Sequence, residues 1–82
     1  MATKIRVLLA DEDPDSRVEL RKAIQRAQLT NAGEVGFGMS AISYTLETRP
    51  DIILLSLEEP AARALQTAER LTQALPETPL IV

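Results

Sequence analysis

Two acidic groups carry most of the side chains in this chain that could do chemistry. They are Asp11-Glu12-Asp13 near the N-terminus and Ser56-Leu57-Glu58-Glu59 in the second half. Carboxylates grouped in this way are oxygen ligands suited to Mg²⁺ or Ca²⁺. The Ser56 hydroxyl would be a nucleophile only with a neighbouring base to take its proton, and none is evident. There is no histidine and no cysteine. The commonest acid–base group, thiol catalysis, thiolate metal sites and disulfides are therefore all absent. Carboxylates and a serine do not make an enzyme, and none is expected. Gly33, Gly36 and Gly38 run G-x-x-G-x-G, which is not the dinucleotide-binding order. The turn after the first strand, where such a fold places glycines, is acidic and repels phosphate.

The elements that must hold these groups are legible from periodicity. Asp51 to Pro60 contains Ile52-Ile53-Leu54-Leu55, a short apolar run entered through Arg49-Pro50. It reads as a buried parallel strand with Ser56 and the two glutamates at its C-terminal end. Lys4 to Ala10 is a first strand that stops at the acidic triplet. Asp13 is a good N-cap with Pro14 at the first helical position, so a helix runs from about Pro14 to Gln28. Leu20, Ala23, Ile24 and Ala27 form its apolar stripe, while Arg17, Glu19, Arg21, Lys22 and Arg26 read as a solvated face. Glu34 to Phe37 can make a short strand, and Met39 to Thr48 a helix with Ala41, Ile42, Thr45 and Leu46 inward and Ser40 as a cap. A third helix spans about Pro60 to Leu75, with Ala61, Ala64, Leu65, Ala68, Leu71 and Leu75 at helical spacing. Leu80-Ile81-Val82 begins a fourth strand. The order β-α-β-α-β-α-β with short connections predicts an α/β fold with right-handed crossovers.

Bulk properties narrow the classes further. A chain of 82 residues is at most one small domain, burying about 60–65% of its unfolded surface. Aromatic residues make up 2%, so the core must be Leu, Ile, Val and Ala. A net charge of -3 argues against nucleic acid as a partner, because phosphate contacts need clustered Lys and Arg. Ile5 to Ala10 is too short for a signal peptide or a membrane span. A cytoplasmic protein without membrane insertion is expected.

The pattern as a whole resembles the receiver (CheY-like) domain of bacterial two-component response regulators. Asp11 and Glu12 stand at the family's acidic pair. Gly33-Glu34-Val35, Gly38, Ala41-Ile42 and Arg49-Pro50-Asp51 fall at its spacing, and Asp51 to Leu55 matches the strand that ends in the phosphoacceptor aspartate. The resemblance implies a flavodoxin-like sheet of order 2-1-3-4 with helices on both faces. It also implies that residues 1–82 form a partial domain that ends before the last part of the fold. Ser56 occupies the phosphoacceptor position. The segment after it, Glu59-Pro60-Ala61-Ala62-Arg63, lacks the family's glycine. An aspartate there would be an anionic nucleophile and a Mg²⁺ ligand; a serine hydroxyl is barely ionised at neutral pH.

The resemblance therefore implies a pseudo-receiver, a regulatory module that keeps the scaffold and acts through a protein partner or self-association. Leu57 to Leu65 also resembles the pseudo-receiver at the N-terminus of Tad-type pilus-assembly ATPases, which would make localisation of a pilus or secretion ATPase its setting. The alternative is a receiver responsive to a divalent cation. Its ligands would be Asp11, Glu12 and Glu58, the last through its backbone carbonyl. In that picture the five carboxylates of the two groups crowd one rim with no lysine to neutralise them. No cofactor is required, although this rim could take Mg²⁺.

Overall fold

The computed structural model describes residues 5–57 and 61–82. Its elements are β1 (Arg6–Ala10), α1 (Pro14–Arg26), β2 (Thr30–Val35), α2 (Met39–Thr48), β3 (Ile52–Leu55), α3 (Ala61–Ala74) and β4 (Leu80–Ile81). The strands form one sheet of order β2-β1-β3-β4, and every neighbouring pair is parallel. This is the α/β architecture and strand order expected from the sequence.

Alternation along the two central strands divides the core in two. Leu8 and Ala10 of β1 and Ile53 and Leu55 of β3 pack with Phe37, Ala64 and Leu71, so α2 and α3 cover that face. Val7 and Leu9 point the other way and pack with Ile24 of α1. Leu8, Leu9, Ile53, Leu55 and Leu71 are at most 1% exposed. At about 1.5–3 kcal/mol per fully buried aliphatic side chain, these few residues supply much of the driving force. The α1 face is more thinly covered. Ile52 and Leu54 are only half-buried, and Ile81, paired with Leu54, is 52% exposed.

Several boundaries and inward positions differ from the sequence expectation, each for a local reason. β1 begins at Arg6, and Lys4 lies outside the described residues. β2 spans Thr30–Val35 rather than Glu34 to Phe37. Its polar start is an edge strand held by backbone pairing of Arg6 with Thr30 and Val7 with Asn31, so no hydrophobic alternation marks it. A register shift between Val7 and Leu8 absorbs one extra β2 residue, which is a β-bulge. Helix α1 ends at Arg26. Ala23 and Ala27 of its expected stripe are exposed, leaving Ile24 buried and Leu20 half-buried.

In α2 the cap is Gly38, not Ser40, and no side chain caps the helix. Ala41 and Thr45 are buried as expected, but Leu46 is 41% exposed. Thr45 returns its hydroxyl to the Ala41 carbonyl at 2.6 Å, which lets a polar residue sit in the core. Arg49 closes the helix in the left-handed conformation, φ 48°. The carbonyls of Thr48 and Arg49 accept from Arg6 Nη1 at 3.0 and 3.1 Å, satisfying orphan acceptors at that helix end. Helix α3 begins at Ala61 among the described residues; Pro60, its expected start, lies outside them. Its buried line is Ala64, Thr67 and Leu71, so Leu65 falls one position off the stripe and is 55% exposed.

Candidate functional site at the C-terminal edge of the sheet

The sheet register brings the two acidic groups' anchor points together. Ala10 of β1 lies opposite Leu55 of β3, and the next amide, that of Ser56, donates to the Ala10 carbonyl at 2.9 Å. On the other side the Asp11 amide donates to the Val35 carbonyl at 2.8 Å. Asp11 and Ser56 thus leave adjacent strands side by side. This is the C-terminal edge, where ligands bind in open parallel sheets. Glu58 and Glu59 lie outside the described residues.

The three acidic residues of the first loop have separate tasks. Asp11 is fully buried. Its Oδ1 accepts from the Asp13 amide at 2.9 Å, and its Oδ2 is buried with no hydrogen-bond partner among the described residues. Asp13 is the N-cap of α1, with Oδ1 accepting from the Asp15 amide at 3.1 Å. Glu12 reaches outward and pairs with Arg63 of α3, Oε1 to Nη1 2.8 Å. Its other oxygen lies so close over Gly36 that a Cβ there would stand 2.8 Å from it.

Two arginines therefore belong to this edge. Arg17 Nε donates to the Asp11 carbonyl at 2.5 Å, and Arg63 holds Glu12. Of the expected rim of five carboxylates, Glu58 and Glu59 lie outside the described residues; beside the other three, arginine supplies counter-charge. The face of α1 read as solvated is exposed at Glu19, Arg21, Lys22 and Arg26, with Arg17 half-buried, and it also reaches β2. Besides Arg17, Arg21 makes a two-pronged contact to Glu34 on β2 at 2.6 and 2.8 Å. The hydrogen bond from Arg21 is the main cause holding the Glu34 carboxyl below its ordinary value, with a second bond from Asn31 assisting against desolvation.

Arg63 carries a signal legible in the sequence. A cation in the first turn of a helix opposes the helix dipole, so its presence there asks for an acidic partner across the gap. Arg17 carried no such signal.

A divalent cation at this edge would need oxygen ligands; Mg²⁺ keeps several waters and is held by one or two carboxylates, while Ca²⁺ takes six to eight oxygens. Asp11 offers one unpartnered oxygen, Glu12 is engaged by Arg63, and Ser56 is neutral. Among the described residues no group of three or more His, Cys, Asp or Glu side chains could hold a metal ion. Arg63 engages one of the carboxylates such an ion would use, and Glu58, an expected ligand through its backbone carbonyl, lies outside the described residues. Nor does any hydrogen bond join the Ser56 hydroxyl to another group among the described residues, so nothing there activates it as a nucleophile.

A parallel α/β sheet with an acidic loop and a serine at its C-terminal edge is the class of arrangement that the comparisons extend. No family model matches the chain. It is 35% identical over 80 residues to an uncharacterized transcriptional regulatory protein, YxjL, of Bacillus subtilis (strain 168), matching 96% of this chain and 37% of that protein. It is 30% identical over 81 residues to a protein-glutamate methylesterase/protein-glutamine glutaminase of Burkholderia thailandensis (strain E264), matching 98% of this chain and 22% of that protein. The chain thus spans well under half the length of either relative. No described helix is long and apolar enough to cross a membrane.

Proposed function

We propose that this chain is a receiver-type regulatory module that has lost phosphoryl chemistry and acts by contact with a protein partner. The observation that carries this reading is Ser56. It stands where β3 ends beside Asp11, as a neutral hydroxyl with no base bonded to it among the described residues. The comparisons support the regulatory part. One sequence of about this length is shared with a protein named as a transcriptional regulator and with one named as a methylesterase. A segment common to proteins of such different names is suited to controlling an output rather than performing it. Those names favour a signalling setting over the localisation of a pilus ATPase.

The second reading, a receiver responsive to a divalent cation, has the unpartnered Oδ2 of Asp11 in its favour. The engagement of Glu12 by Arg63 stands against it.

The test is the intact mass of the protein after incubation with a small acyl phosphate and Mg²⁺. An unchanged mass is the expected result. A gain of one phosphoryl group that maps to Asp11, Glu12 or Ser56 would overturn the reading.

A further inference from the structure

We propose that Arg63 is the resident counter-cation of this edge, and that its guanidinium excludes divalent cations by occupying Glu12. The inference goes beyond the reading of Ser56 and can hold or fail without it. Its first support is geometric. Arg63 extends from the first turn of α3 to Glu12 on the β1–α1 loop at 2.8 Å. Its other terminal nitrogen, Nη2, is 4.0 Å from where a Cβ of Gly38 would stand. The guanidinium thus spans from the acidic loop to the turn before α2.

The second support is independent of Glu12. Asp11 roots the same loop, is fully buried, and keeps one carboxylate oxygen without a donor among the described residues. Buried polar groups are ordinarily hydrogen-bonded, so an orphaned carboxylate oxygen marks a place where positive charge is wanted. Neither arginine of this edge bonds to that oxygen. Arg17 serves the Asp11 carbonyl instead, and Arg63 serves Glu12. Glu12 follows Asp11 directly on this loop, so it is the carboxylate next in the chain that a cation at Asp11 could recruit. Arg63 competes for that carboxylate. A guanidinium tethered by its own helix acts at a high effective concentration and needs no free ion.

The experiment is thermal melting of the chain and its variants in about 10 mM MgCl₂, against NaCl of equal ionic strength to remove screening. Wild type is expected to melt at the same temperature in both salts. Arg63→Gln is expected to gain an upward shift of a few degrees in MgCl₂ alone, as for a site of roughly millimolar Kd. Adding Glu12→Gln to it should abolish that gain. Should Arg63→Gln fail to fold, Arg63→Lys keeps a charge without the planar fork and is expected to show a smaller gain. A Mg²⁺ shift in wild type equal to that of the variant would overturn the proposal, because Arg63 would then exclude nothing. The absence of any shift in the Arg63 variants would overturn it equally.

Discussion

Gly38 is where a single methyl group tests the geometry that aims α2 at this edge. Its backbone sits at φ 106°, ψ -164°, a region open essentially to glycine alone. Space is not the constraint, since an added Cβ would meet only Arg63 Nη2, at 4.0 Å. The expected cost of Gly38→Ala is therefore backbone strain, about 1–3 kcal/mol. Against a total stability of roughly 4–12 kcal/mol, from about 0.05–0.15 kcal/mol per residue, that is a large share. In a domain of this size each kcal/mol lowers Tm by about 4–8 °C. Gly36→Ala is the control because its problem is the reverse. Gly36 is not at positive φ, but its Cβ would stand 2.8 Å from Glu12 Oε2 and 3.4 Å from Arg17 Nη2. Both are ends of flexible side chains, and the lost freedom of the unfolded chain offsets part of the displacement. A net change within about 1 kcal/mol is expected. Urea denaturation reads both, as a shift of midpoint at constant slope. The reasoning is refuted if Gly38→Ala melts with wild type, or if Gly36→Ala is the more damaging of the two.

Two further substitutions probe the charges around α1. Asp13→Ala removes the acceptor for the Asp15 amide and is expected to lower stability by about 1 kcal/mol in the same urea assay, with Asp13→Asn close to wild type. The folded-state pKa of Glu34 is held below its ordinary 4.5, so the stability it adds is fully present above that value and is lost as pH falls through the lower, folded-state value. Glu34→Gln is therefore expected to be less stable than wild type at neutral pH, with the gap closing on acidification below about pH 4.5. A gap that stayed constant from pH 7 to pH 3 would contradict the Arg21 contact as its source.

The fold was legible where burial speaks through side-chain type. Ile52 to Leu55 is apolar on both sides because both faces of β3 face helices or the opposite core, and the Asp13-Pro14 pair marks the start of α1 by chemistry alone. β2 was half-hidden for the opposite reason. Thr30 and Asn31 belong to the sheet through backbone hydrogen bonds at its edge, which leave no trace in hydropathy. Leu65 and Leu46 show the limit of periodicity, since a leucine one position off the buried line still fits a helical spacing while facing solvent. At the edge itself, the positions of Asp11, Glu12 and Ser56 could be read from strand ends. Their partners could not. Whether Glu12 turns towards a metal or towards an arginine depends on where α3 places Arg63, and that is set by tertiary packing rather than by spacing.

Ser56 and Arg63 make most sense taken together. A carboxylate at position 56 would stand on the strand adjacent to buried Asp11, and two close carboxylates in a poorly solvated place need a cation between them or a proton on one. A neutral hydroxyl removes that demand at Asp11, and a guanidinium at Glu12 removes it at the neighbouring position. Each change alone would leave a burden. Serine without Arg63 leaves Glu12 without its ion-pair partner, and Arg63 without serine leaves a second carboxylate on the strand beside Asp11 with that arginine already committed to Glu12. The acidic loop keeps the Asp11 turn and the Asp13 cap that start α1. With Glu12 paired to Arg63 and a neutral hydroxyl at position 56, charge at this edge is partly balanced from within the chain.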